Sequence, residues 1–193
     1  MKTIQELMTN FRVIFNNDVK SLKNKILKDS NKWFQICSAM DCVEDTQLAI
    51  DYFVKSEFPE AEGENFIFNY GGQYIFIYGL LQALFLQQNA LMDIAEVLNF
   101  GLNFEKNGIY PELYEIREIR NKVVGHPTKR KYGKEWRSTH SIVRTSMTKE
   151  SFEIRSKYKE QKESEFEEIN TLKYISVQEE KVKEIINNLV VSI

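Results

Sequence analysis

Very little in this chain can be cross-linked or can break a helix. Cys37 and Cys42 are its two cysteines in 193 residues, and neither their spacing nor their neighbours form a metal-ligand or redox motif. A reduced, cytoplasmic setting fits that pattern. Proline occurs 3 times and glycine 8 times, a scarcity that suits long helices better than a sandwich of many turns. Charge of one sign is lacking as well. The net value of −2 gives the whole molecule no general affinity for polyanions, so any contact with nucleic acid must come from a local patch. Residues Tyr74 to Leu86 form a strongly apolar run, yet it is too short to span a bilayer and Gln82 interrupts it, so it reads as a buried core helix rather than a membrane segment. The opening Met-Lys-Thr-Ile-Gln-Glu-Leu carries an acid early and lacks the unbroken apolar core of a secretory signal. The acidic stretch Glu60 to Asn65 contains Gly63 but no histidine and no regular ladder of oxygen ligands, which marks a solvated connection. Neither a metal nor a cofactor is expected.

What is present is helical periodicity. Apolar and charged residues make up 42% and 28% of the chain, the proportions of an ordinary globule, and the length suits one mainly α domain over 1–193. Ile4, Leu7, Met8, Phe11, Ile14 and Phe15 keep a helical beat, with a break expected at Asn16 to Asp18. A further helix is expected from about Asp45 to before Pro59, with Leu48, Ala49, Tyr52 and Phe53 on one face. Gly71 and Gly72 would form the turn that opens the most hydrophobic helix, and Asn99 to Ile109 the connection after it. The helical core is expected over about 44–128. Residues 128–140 then read as an exposed basic loop, 141–158 as a β-hairpin appended to the helices, Lys157 to Glu168 as a solvated helix face or mobile segment, and about 176–192 as a terminal helix opened by Ser176 and Glu179 at capping-box spacing.

The chain is organised around Pro111 to Arg130. Leu113, Ile116, Ile119 and Val123 recur at helical spacing, with Pro111 suited to the first turn. Gly125 and Pro127 are expected to end this helix, the glycine by a left-handed exit and the proline because it cannot continue the ladder. Arg120 therefore lies on the last helical turns, Asn121 follows at once, and His126 stands just past the end. An arginine, an adjoining polar residue and a histidine after a gap of five resemble the signature of the HEPN superfamily (higher eukaryotes and prokaryotes nucleotide-binding domain). The resemblance implies an antiparallel helical bundle that dimerises, pooling Arg120, Asn121 and His126 of two chains into a metal-independent ribonuclease site. It also implies a toxin or anti-phage defence effector, with an antitoxin or regulatory protein as a further partner. Thr128 stands where some relatives carry a modified tyrosine, which argues against that regulation.

The chemistry of these side chains agrees with the implied activity. RNA supplies its own nucleophile in the 2′ hydroxyl, so cleavage needs a proton acceptor, a proton donor and positive charge at the phosphate. A histidine side chain has an unperturbed pKa near neutrality, which suits His126 to acid or base work, and the planar fork of Arg120 matches two phosphate oxygens. Transesterification to a 2′,3′-cyclic phosphate is the expected outcome. Arg117, Arg120, Lys122, Lys129, Arg130, Lys131, Lys134, Arg137 and Arg144 surround the motif, opposed only by Glu118 and Glu135. Of these, Lys122, Lys129, Arg130, Lys131, Lys134 and Arg137, together with Trp136, are the expected RNA-binding residues, the aromatic serving base stacking beside phosphate contacts. Plainer roles stand beside each assignment. Trp136 can instead fold onto the core, His126 can cap carbonyls at the helix end, Arg120 can pair with Glu115 or Glu118, and the domain can bind RNA, a nucleotide or a protein partner without cutting anything. His140, with no ligand partner at metal spacing, reads as a surface or loop residue.

Overall fold

The computed structural model describes residues 2–17, 26, 28–60, 66–125, 127, 130–132 and 135–191, with 66, 68, 130–132, 135 and 136 described in backbone only. Among the described residues the chain is mainly helical, with one small antiparallel sheet. Helix α1 runs Ile4–Asn17 and buries Ile4, Leu7, Met8, Phe11 and Phe15. Its start is fixed by a reciprocal capping box, in which the Thr3 amide donates to Glu6 Oε2 (2.7 Å) and the Glu6 amide to Thr3 Oγ1 (3.1 Å). Arg12 ties it to the next helix through Asp41 (2.7 Å) and Glu44 (2.6 Å).

Helix α2, Ser30–Lys55, begins fifteen residues before the expected Asp45. Asp29 accepts from the amides of Asn31 and Lys32, and this cap starts the helix early enough to include Trp33, Phe34 and Ile36. Helix α3, Phe66–Val97, is also longer than its apolar run. Gly71 and Gly72 lie inside it rather than in an opening turn, and Gly72 is where Pro59 packs: a Cβ there would lie 3.0 Å from the Pro59 ring. With a stretch over Asn69–Val97 it is long and apolar enough to cross a membrane, contrary to the shorter reading, but it is the central helix of the bundle, with Ile77, Leu84, Gln87, Gln88, Leu91 and Ile94 almost fully enclosed. It ends in a Schellman turn: the Phe100 amide reaches Ala95 O, the Asn99 amide reaches Glu96 O, and Asn99 takes φ 55°.

Helix α4, Pro111–Arg120, continues as one π turn over Asn121–Gly125. Four strands follow as an antiparallel meander: β1 Arg130–Tyr132, β2 Glu135–Ile142, β3 Ser151–Tyr158 and β4 Glu165–Asn170. Helix α5, Thr171–Val191, closes the chain. The expected basic loop over 128–140 is therefore largely strand, and the stretch expected as a helix face or mobile segment is the end of β3 and the whole length leading into β4. Alternation in β3 buries Phe152 and Ile154, and Ile169 opposite Phe152 joins them. These side chains share the helices' apolar cluster, so the sheet is no appendage. The core runs from Ile4 to Leu189, well beyond 44–128. α5 starts at Thr171, before Ser176, because Asn170 Oδ1 accepts from the Lys173 amide (2.8 Å) and caps the helix directly where β4 ends.

Buried glutamines thread this core. Gln47 Oε1 accepts from Gln87, Gln87 Oε1 accepts from Gln178, and Gln178 Oε1 accepts from Gln88, at 3.1, 3.1 and 2.8 Å. Gln178 also donates to the Leu84 carbonyl and Gln88 to the Leu113 carbonyl. One hydrogen-bonded line thus joins α2, α3, α4 and α5. In an apolar interior such a fully partnered chain fixes the register of the helices, since sliding any one of them would strand several amides.

Candidate active site

Arg120 sits on the last turn of α4, with its guanidinium carbon 4.2 Å from the centroid of Phe85 on α3. Gln82, one turn before Phe85, accepts from Nε (3.2 Å) and Nη2 (3.0 Å) of the arginine. Asn121 Oδ1 accepts from Nη1 at 3.2 Å, and its amide nitrogen donates to Glu118 Oε1 at 3.3 Å. Asn121 therefore stands between Arg120 and the carboxylate, and Arg120 forms no ion pair with Glu115 or Glu118. Glu115 is instead taken by the Tyr174 hydroxyl (3.0 Å). Three of the five guanidinium N–H groups are held by neutral acceptors, which fix its plane while leaving its charge uncancelled.

The π turn places Gly125 directly over this guanidinium. A Cβ at Gly125 would lie 2.9 Å from Arg120 Nη1 and 3.4 Å from Asn121 Oδ1, while its φ lies outside the left-handed range. The glycine is needed for close approach, and the expected left-handed exit does not occur. A single π turn widens the helix by one residue, a distortion found often at functional sites, and here it brings the backbone before position 126 against the arginine. His126 itself lies outside the described residues. The chain on its far side is held, because the His140 amide of β2 donates to the Pro127 carbonyl at 2.6 Å.

The expected RNA-binding residues separate. Lys122 Nζ meets Glu167 Oε2 of β4 at 2.6 Å, so its charge is already matched and it pins the π turn to the sheet. Arg137 is exposed on β2. Arg130, Lys131 and Trp136 belong to β1 and β2 by backbone, their side chains undescribed, and Lys129 and Lys134 lie outside the described residues. His140, expected at the surface, is 5% exposed within β2. Its Nε2 is 2.9 Å from Ser138 Oγ and its Nδ1 2.8 Å from Ser156 Oγ, and Tyr158 meets its ring edge-on. The alternating pattern of the strand turns this ring inward, where two serines satisfy both nitrogens.

The motif alone did not reveal Gln82, Phe85, Gln88, Asn89 or Arg117. Arg117 Nη1 donates to Asn89 Oδ1 (2.9 Å) and Gln88 Oε1 (3.4 Å), and its Cζ lies 4.3 Å from the Phe85 centroid. A signal was present in the sequence: amides interrupting an otherwise apolar helix at Gln82 and at Gln87 to Asn89 need polar partners within the fold. Beside Gln82, a groove of about 600 Å³ opens between α2 and α3, lined by Asp41, Cys42, Asp45, Ala49, Gly79 and Leu86 among others. Among the described residues no three His, Cys, Asp or Glu side chains converge as around a metal ion. No protein-family model matches this chain, and no curated protein or solved structure matches it either.

Proposed function

We propose that this chain is a HEPN-like endoribonuclease that cleaves RNA by attack of the 2′ hydroxyl on the adjacent phosphate, without a metal, acting in the cytoplasm as a toxin or anti-phage effector. The carrying observation is the setting of Arg120: a partly buried guanidinium, stacked on Phe85, with neutral groups on both edges and no carboxylate among its described partners. A cation fixed in that way is preorganised for a developing phosphorane charge. Asn121 orients it, and His126, next along the chain from Gly125, supplies the proton transfer.

The active unit in this reading is a homodimer. Leu48, Tyr52, Ile75, Tyr78 and Leu86 are exposed apolar residues of α2 and α3, and the groove between these helices has Gln82, the anchor of Arg120, in its wall. A second copy covering this face would bring its own Arg120 toward the first. The test is labelled RNA in excess EDTA with the parent, Arg120→Ala and His126→Ala proteins. Cutting by the parent alone, ending in a cyclic phosphate and abolished by a 2′-deoxy residue at the cut, is expected. RNA that binds and survives overturns the enzyme in favour of a binding module, and cleavage of the deoxy substrate overturns the mechanism.

A further inference from the structure

Two guanidiniums, not one, rest against Phe85. Arg117 and Arg120 are three residues apart on α4, so their side chains share a helix face, and their Cζ atoms lie 4.3 and 4.2 Å from the same ring centroid. Like charges held this close repel, and burial together with Arg120 pulls the Arg117 pKa below its ordinary value. No described carboxylate bonds to either group. Arg117 has Gln88 and Asn89 as acceptors, Arg120 has Gln82 and Asn121. Neutral acceptors hold a guanidinium in place without cancelling its charge, so the pair leaves a concentrated positive potential for an anionic ligand to answer.

Arg117 is also braced from below in a way that an ordinary surface arginine is not. Gln88 is 0% exposed. Its amide nitrogen donates to Gln178 Oε1 and the Leu113 carbonyl, which leaves Oε1 turned to Arg117. The core glutamine line thus ends on this side chain. Only Nη1 of Arg117 is engaged, so Nε and Nη2 have no acceptor among the described residues and present a fork suited to two phosphate oxygens.

We propose that Arg117 binds the phosphate next to the one held by Arg120, so that the site takes a strand with at least two consecutive phosphates rather than a mononucleotide or a lone anion. Naming that strand as RNA rests on the ribonuclease reading above; the two-phosphate geometry does not. Arg120 faces the reacting phosphate, and Arg117 sets the register of the strand.

Binding can be read apart from cutting with fully 2′-O-methylated RNA, which lacks the nucleophile. The probes are a labelled oligonucleotide and a dinucleoside with a single internucleotide phosphate, titrated in EDTA at several salt concentrations. Arg117→Gln is expected to reduce the slope of log K against log salt by about 0.7, one phosphate contact on a single strand, and to leave affinity for the dinucleoside unchanged. Arg120→Gln weakens both ligands. Asn89→Ala and Arg117→Lys keep the charge and lose the aim or the fork, so each weakens only the longer strand; they decide the matter if Arg117→Gln does not fold. An unchanged slope and affinity in these variants, an equal loss for both ligands, or a parent that binds no strand overturns the proposal. A parent that shows the Arg117 effect on the methylated strand but leaves ordinary RNA intact supports it while overturning the nuclease.

Discussion

Adding one methyl group at Gly125 should separate activity from stability. A Cβ there would lie 2.9 Å from Arg120 Nη1, 3.4 Å from Asn121 Oδ1 and 3.8 Å from Arg120 Cζ, and the first of these is closer than such contacts allow. The backbone poses no obstacle, since Gly125 has no left-handed φ. The movable partner is the tip of a long side chain, so Arg120 must swing away, giving up its bond to Asn121 and shifting against Gln82 and Phe85. The lost bond is worth about 1 kcal/mol, and replacing glycine by alanine at an unstrained position returns roughly 0.4–1 kcal/mol through the unfolded chain. The net change in stability should therefore stay within about 1 kcal/mol. Misplacing a charge-stabilising group by about 1 Å costs on the order of 100-fold in rate. Initial rates of RNA cleavage in EDTA, set beside urea unfolding curves, measure both quantities on one preparation. A Gly125→Ala protein that keeps both the parental rate and the parental stability refutes the claim that the fixed position of Arg120 governs activity; one that unfolds refutes the claim that only a side chain has to yield.

Other consequences follow from parts of the molecule away from that glycine. Replacing His140 by alanine empties a buried site and strands two serine hydroxyls, so unfolding free energy should fall by about 2–4 kcal/mol; urea denaturation showing a change under about 0.5 kcal/mol would mean the ring is not held as described. In the proposed homodimer, Leu48→Asp and Ile75→Asp place charge on side chains that are 60% and 73% exposed in the single chain, so the monomer should keep its melting temperature while light scattering reports loss of that dimer and cleavage falls with it. Unchanged mass and activity in both would remove α2 and α3 from the interface. Burial and the bond to Glu115 hold the Tyr174 hydroxyl up to about 12, against an ordinary 10.0. The folded state thus keeps a proton that the unfolded chain releases, and stability falls as pH rises from about 10 toward 12. Tyr174→Phe should flatten that alkaline decline in thermal melts, and an unaltered decline would contradict the assignment.

The helices were legible where an apolar beat and a stop signal coincide. The beat of Leu113, Ile116 and Ile119 with Pro111 at its head gave α4 its correct start, and of the apolar beat of α1 all but Ile14 are buried. The early start of α2 was hidden because Asp29 caps it by a local side-chain bond, and the true length of α3 because glycines inside a helix look like a turn until Pro59 is seen against one of them. β1 and the part of β2 before Ser141 were missed for a different reason. Their sequence, rich in lysine, arginine and serine, has no apolar alternation to betray a strand; β1 pairs with β2 and β2 with β3, whose buried Phe152 and Ile154 anchor the sheet. At the site, Arg120 and Asn121 could be named from the motif. Phe85 and Gln82, which fix the arginine in space, are 35 and 38 positions away along the chain, and no local pattern links residues so distant.

That distance explains why the sheet matters to the site at all. Position 126 is bracketed by two described neighbours: Gly125, packed on the Arg120 guanidinium, and Pro127, whose carbonyl is held by the His140 amide. His140 in turn is locked by serines of β2 and β3, and Lys122 bridges the π turn to Glu167 of β4. On the other flank, the glutamine line runs from α2 through α3 and α5 to Arg117, so the two arginines inherit their rigidity from the interior of the bundle. A helical core that sets the cations and a sheet that clamps the segment after them are two independent supports. It follows that destabilising the sheet at Phe152 should impair the site by loosening Gly125 and Pro127 before it disturbs Arg120, whereas breaking the core at Gln178 should release Arg117 first.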